Sequence, residues 1–125
     1  KDVLEILNTN HLILNTVPAV FHCCEPDPEL LKFAQEHKMF IGVDGDITYY
    51  KEKQAFIKTV PLEMLVLETD SPFLSPIRQF PNEPKNIKII AKFIASLLHC
   101  SIDTLMKQTM ENARILFKLG HFLSL

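Results

Sequence analysis

Leu65-Val66-Leu67-Glu68-Thr69-Asp70-Ser71-Pro72 carries an uninterrupted aliphatic run into two acids spaced by one residue, and a proline then stops it. That pattern describes a buried strand ending at a working surface. Successive side chains of a strand point to opposite faces, so Val66, Glu68 and Asp70 share one face and Leu65, Leu67 and Thr69 the other. Two carboxylates then project side by side at the strand's C-terminal end, where parallel α/β folds keep their chemistry. A strand end whose acids are solvated, or cap the next turn, reads the same way locally, so the flanking sequence has to decide.

Upstream, Pro61 closes a helix expected from Tyr49 to Lys58, with Tyr50, Phe56 and Ile57 available to the core. Before it, Met39 to Val43 reads as a strand that ends in the tight turn Asp44-Gly45-Asp46. Earlier still, Asp27 is placed to cap a helix with Pro28 at its first position and Leu30, Leu31, Phe33 and Ala34 as its buried stripe, running to His37. Val17 to Cys24 is the first strand, with Pro18 tolerated at its start and His22 on the face of Val20 and Cys24. Downstream, Pro72, Pro76, Pro81 and Pro84 mark a long loop of the kind that often carries function. Lys85 to Leu98 is the strongest helix, with Ile87, Ile90, Ile94 and Leu97 at helical spacing. Ser101 is placed to cap a short helix from Ile102 to Gln108, and Thr109 another from Met110 to Leu119 that Gly120 ends.

Strand, helix, strand with short connections is the parallel crossover unit, and near-continuous apolar strands imply helices on both sheet faces. The expected fold is therefore α/β, with parallel βα units. A closed (β/α)8 barrel takes roughly 250 residues. One domain over all 125 residues is expected to be the C-terminal half of such a TIM barrel. The opening Lys1-Asp2-Val3-Leu4-Glu5-Ile6-Leu7 has helical apolar spacing at Val3, Ile6 and Leu7, followed by the turn Asn8-Thr9-Asn10. It lacks a Met and a capping segment, so the chain is expected to be part of a longer protein.

With 47% hydrophobic and 22% charged residues, the composition is that of a chain with a core and not of a disordered tail. Thirteen basic against fifteen acidic residues leave a formal charge of -2 and no basic footprint, so any nucleic-acid contact has to come from a local site or a metal. No apolar run reaches the ~18 residues of a membrane span, and nothing at the start resembles a signal peptide. The expectation is a soluble cytoplasmic protein, or a nuclear one in a eukaryote. Cys23, Cys24 and Cys100 read as reduced thiols. A zinc cluster of His22, Cys23 and Cys24 is disfavoured, because consecutive strand residues face opposite ways.

His22 and Asp70 lie near the ends of two strands that point the same way, and imidazole and carboxylate are the usual ligands of hydrolytic metals. A catalytic zinc generally needs a third protein ligand as well. Glu68, one strand step deeper than Asp70, needs a partner there, and orienting a ligand histidine is a common task for such a carboxylate. Asp44 and Asp46 are either turn residues beside Gly45 or additional charge at the site. Arg78 and Asn82, in the proline-rich loop, bring a cation and an amide near Asp70 as candidate substrate contacts; Arg78 suits bidentate phosphate binding or is a solvated loop cation. His11, His37, His99 and His121 show no partner pattern and read as surface or packing residues.

Phe21-His22-Cys23, Gly45-Asp46-Ile47-Thr48-Tyr49, Pro61 through Pro72 with its Glu68-Thr69-Asp70-Ser71-Pro72 core, Asn82-Glu83-Pro84 and Glu111-Asn112-Ala113-Arg114-Ile115-Leu116-Phe117 occur in the order and spacing of the TatD-like deoxyribonucleases. The sequence resembles the C-terminal half of that family's barrel from Ala19 to Leu119. The resemblance implies an amidohydrolase-like, divalent-metal-dependent hydrolase that cleaves DNA phosphodiesters with a metal-activated water. It implies metal binding by His22 and Asp70, with Asp70 catalytic as acceptor of the water's proton and Glu68 as support. The ions would be magnesium or zinc, and they would explain how a mildly acidic chain handles DNA. Cys24-Glu25-Pro26 departs from the family's usual Phe-Ser-Gly. The family's His-x-His pair, bridging glutamate and strand-five histidine would precede Lys1, in the missing N-terminal half. The expectation is weak metal binding and no appreciable nuclease activity for this polypeptide alone. The alternative is a catalytically inactive half-barrel that acts as an interaction or folding module.

Overall fold

The computed structural model describes residues 2–10 and 16–120. His11 and His121 lie outside the described residues. The elements in chain order are α1 (Asp2–Thr9), β1 (Val20–Phe21), α2 (Pro28–Glu36), β2 (Phe40–Val43), α3 (Lys51–Ile57), β3 (Leu65–Leu67), α4 (Ile87–Leu97) and α5 (Ile102–Leu116), with short 3-10 turns at Gly45–Thr48, Leu62–Met64 and Pro84–Asn86.

The strands form one parallel sheet in the order β1-β2-β3, with Val20 beside Phe40, and Ile41 beside Leu65. The central strand is buried along its whole length, which is why Phe40-Ile41-Gly42-Val43 carries no polar residue. Among the described residues, Ile41, Val43, Ile47, Ile57, Leu65, Ile90, Ile94 and Leu105 are the large aliphatic side chains fully buried in the core. In α1 the core-facing residues are Leu4 and Leu7, whereas Val3 and Ile6 point outward. Among the described residues no single helix is long and apolar enough to cross a membrane.

Local chemistry sets the element ends. Asp27 accepts hydrogen bonds from the N–H groups of Glu29 and Leu30, with Pro28 at the first helical position of α2, as the sequence predicts. The first strand is shorter than expected: it ends at Phe21, and His22 stands in the turn beyond it, because Cys23 takes a left-handed backbone (φ 52°) that no strand continues. The helix expected to start at Tyr49 starts at Lys51; Tyr50 caps it and points out instead of into the core. The two short helices expected after Ser101 are one. Ser101 caps α5, but the Thr109 hydroxyl donates back to the Leu105 carbonyl and leaves the helix unbroken. That helix ends before Gly120, with Lys118 at φ 51° taking the left-handed position.

Two buried asparagines tie distant segments. Asn112 on α5 donates to the carbonyls of Leu62 and Leu65 at 2.9 and 2.7 Å, pinning the last helix to the start of β3. Asn82 donates to the carbonyls of Thr69 and Phe73, both at 2.7 Å, and accepts from Glu83 N–H and the Asn86 amide, which folds the proline-rich loop over the end of β3.

Candidate metal centre

Past the C-terminal ends of all three strands lies one connected set of polar groups. Glu68 leaves β3, crosses the central strand and reaches the turn after β1. Its Oε2 lies 2.7 Å from His22 Nδ1, and its Oε1 accepts the Cys23 N–H at 2.5 Å. The crossing is possible because residue 42 is glycine: a Cβ there would sit 2.5–2.7 Å from the Glu68 carboxylate. The left-handed turn at Cys23 aims that N–H at Glu68.

Asp70 is also left-handed (φ 52°), which turns its carboxylate back toward β1. Its Oδ1 lies 3.3 Å from His22 Nε2, and its Oδ2 accepts the Cys23 thiol at 2.9 Å. The same sulfur lies 3.2 Å from Asp44 Oδ2. Asp44 in turn meets Lys53 Nζ at 3.1 Å, and Lys53 also bonds Asp46 at 2.7 Å. Lys53 is 2% exposed and Asp44 0%, so this pair is sealed behind the site while His22, 64% exposed, faces outward.

The electrostatics follow from these contacts. The Glu68 hydrogen bond and charge, with Asp70 and Asp44 adding to them, raise the His22 pKa against some burial. Burial and hydrogen bonds to two carboxylates push the Cys23 thiol well above its ordinary value, and burial pushes Cys24 up to about 11. Burial opposes the charge of Lys53, but its bonds to Asp46 and Asp44 outweigh that and raise its pKa. Burial also works against the Asp44 carboxylate, yet its hydrogen bonds and the Lys53 charge hold it low. Burial and the neighbouring Asp44 push Asp46 up to about 6.

The donor set fits a divalent cation. One ligand atom each from His22, Glu68 and Asp70 falls within 4.8 Å of the others. With Glu68 engaging Nδ1, the nitrogen left to a cation is Nε2, the one that faces Asp70; a carboxylate on the far nitrogen is how ligand histidines are usually held. One atom each from Cys23, Asp44 and Asp70 also lies within 4.8 Å of the others. There the sulfur is a thiol donating to both acids, and the sealed Lys53 already supplies Asp44 with a positive charge.

The sequence reading brought His22, Glu68 and Asp70 together, and the structure does so too. Arg78 and Asn82 are engaged by other groups. The Arg78 guanidinium lies over the Tyr49 ring, 4.4 Å from its centre, and the Asn82 amide is buried and fully bonded within its loop, so it has no group left for a substrate. Cys24 is buried and bonds the Glu25 carbonyl, away from His22. Sequence reasoning missed Gly42, Cys23 and Lys53. A lysine three and four residues before the core positions Phe56 and Ile57 was the available signal for Lys53.

A family model described as TatD related DNase matches residues 1–118. The chain belongs to the TatD-related DNase family. It is 35% identical to the human deoxyribonuclease TATDN3 over 105 residues, covering 83% of this chain and 38% of that protein. It is 29% identical to the uncharacterized metal-dependent hydrolase YabD of Bacillus subtilis over 124 residues, 96% of this chain and 48% of YabD. The solved structure of the Escherichia coli TatD homologue YJJV matches with a TM-score of 0.81 at 24% identity, over 95% of this chain and 47% of that one. A TatD family hydrolase structure from Entamoeba histolytica matches with a TM-score of 0.76 at 23% identity, over 92% and 46%. This TatD-related chain thus spans less than half the length of these relatives, and its parallel βα units are those of the C-terminal half of a (β/α)8 barrel.

Proposed function

We propose that this chain forms one side of the active centre of a divalent-metal-dependent hydrolase that cleaves DNA phosphodiester bonds. The observation that carries the reading is the His22 ring, held by Glu68 at Nδ1 with Nε2 presented 3.3 Å from Asp70 Oδ1. Relatives named as a deoxyribonuclease and a metal-dependent hydrolase support it. His22 Nε2 and Asp70 would hold the ion, magnesium or zinc, which when bound supplies positive charge against phosphate and makes water more acidic. The chain's own residues do the following. Glu68 keeps the proton of His22 on Nδ1, so Nε2 carries the lone pair. The Cys23 thiol engages Asp70 Oδ2 and leaves Oδ1 facing His22 Nε2, and the Asp70 carboxylate is the acceptor for the proton of the water attacking phosphorus. The remaining ligands come from an N-terminal half-barrel, so this chain alone binds metal weakly and cleaves DNA inappreciably. The test is magnesium- or zinc-dependent DNA cleavage by the chain joined to that half, wild type against Asp70→Asn; full activity in the variant removes Asp70 from the reaction.

A second reading has one observation in its favour. Among the described residues β1 and β3 each pair on one side only, and open sheet edges recruit other chains. In that reading the half-barrel is an inactive folding or interaction module. Absence of a His-x-His pair and the other ligands from the preceding sequence would favour it.

A further inference from the structure

Among the described residues Lys53, Asp44 and Asp46 are the buried charges, and none of them is a ligand of the centre above. Lys53 ties three segments together. Its Nζ lies 3.1 Å from Asp44 Oδ2 at the end of β2, 2.7 Å from Asp46 Oδ1 in the turn after it, and 3.7 Å from Glu25 Oε1, two residues past Cys23. Glu25 is exposed, so that last contact adds little. The Asp44 carboxylate is held at both ends, because its Oδ1 accepts the Asp46 N–H at 3.0 Å.

Asp44 reaches the site through one sulfur. Cys23 Sγ lies 3.2 Å from Asp44 Oδ2 and 2.9 Å from Asp70 Oδ2. Carboxylate oxygens accept, so the sulfur stands between them as a donor, and a thiol has one proton to give. The two acids compete for it. On the Asp44 side the same oxygen already accepts the Lys53 ammonium, which weakens its pull on the thiol. On the Asp70 side, with the His22 proton on Nδ1, the thiol is the hydrogen-bond donor that the carboxylate has among the described residues. The shorter of the two sulfur–oxygen distances is the one to Asp70.

We propose that Lys53 is a positioning residue of the metal centre: by occupying Asp44 it directs the Cys23 proton to Asp70 Oδ2, which keeps Asp70 Oδ1 turned to His22 Nε2. This rests on the metal-hydrolase reading and adds to it how the Asp70 carboxylate is aimed. Charge alone predicts the opposite sign. A fixed ammonium repels a nearby cation, so a lysine acting only by its charge would, when removed, tighten metal binding. A lysine that aims Asp70 weakens metal binding when removed.

The test uses the chain joined to its N-terminal half. In EDTA the infrared S–H stretch of Cys23, identified by its loss in Cys23→Ser, is expected at the lowered frequency of a thiol bonded to a carboxylate. Lys53→Met should move it lower still, because Asp44 without its ammonium is the stronger acceptor. Zinc binding by calorimetry should weaken about tenfold or more in Lys53→Met with unchanged circular dichroism, and likewise in Cys23→Ala. Adding Asp44→Asn to Lys53→Met removes the competing acceptor and restores the net charge, so zinc affinity should return to within about threefold of wild type, a coupling that a merely structural lysine does not show. Where Lys53→Met does not fold, Lys53→Gln keeps a donor in the pocket and is paired with Asp44→Asn in the same way. An unmoved S–H band, unchanged or tighter zinc binding in the lysine variant, or no recovery in the double variant would overturn the positioning role. So would loss of the band on adding zinc, which makes Cys23 a ligand. The two readings fail separately. A band that moves as stated, in a wild-type barrel that binds no zinc and cleaves nothing, sinks the hydrolase and leaves the aiming of Asp70. Cleavage by a barrel whose band does not move does the reverse.

Discussion

Asp70 meets Cys23 with one oxygen and faces His22 with the other, so Asp70→Asn keeps the shape while removing the proton acceptor. Metal-loaded cleavage by the whole barrel should fall by about 10²–10⁴-fold. His22 has a raised pKa, so the stability its imidazolium gains between Glu68 and Asp70 is fully present below the unfolded value of roughly 6.5 and is lost as pH rises through the folded value. In the metal-free chain its ring should titrate by NMR above the ordinary histidine range, and Glu68→Gln should bring it down; titration at or below that range contradicts the contact. Lys53→Met leaves Asp44 and Asp46 sealed without a cation and should cost about 3–5 kcal/mol in denaturant unfolding. That His22, Glu68 and Asp70 come together was legible, because their places at or just beyond the ends of neighbouring parallel strands bring them to one end of the sheet. Lys53 was not, because its meaning depends on Asp44 and Asp46 folding over it. Asn82 misled for a related reason: a polar residue in a proline-rich loop looks available until its bonds to Thr69 and Phe73 are seen.

Among the elements, β2 shows how a strand serves a site without touching a ligand. Gly42 leaves the space that the Glu68 carboxylate fills, so Gly42→Ala should push Glu68 off His22 and weaken metal binding by calorimetry, although no ligand is altered. Unchanged affinity would mean the carboxylate has another route. The capped start of α2 was readable from Asp27-Pro28, since both effects are local. The length of β1 was not: apolar residues from Val17 to Cys24 promise a strand, but the left-handed turn at Cys23 exists to serve Glu68, which is 45 residues away. Thr109 likewise reads as a cap until the helix on both sides proves continuous.

For the molecule as a whole, a cation that binds the folded chain alone adds stability by mass action, about 2.7 kcal/mol when its concentration is a hundredfold above Kd. Zinc or magnesium should therefore raise the melting temperature and EDTA return it, with the rise abolished in His22→Ala; a rise that survives His22→Ala places the cation elsewhere. The parallel order of strands was legible because apolar runs alternated with helical spacing and capping signals. The edges of the sheet were equally legible, since three strands cannot close. What the sequence left hidden was the tie between its ends. The carbonyls of Leu62 and Leu65 wait for an amide 50 and 47 residues further along the chain. At about 5–20 residues per second, a ribosome adds that partner roughly 2.5–10 s after β3 has been made. During that interval the strand bearing Glu68 and Asp70 is unfastened at its base, so β3 is the part of the nascent sheet most in need of shelter, and a nonsense codon just ahead of Asn112 would leave it so permanently.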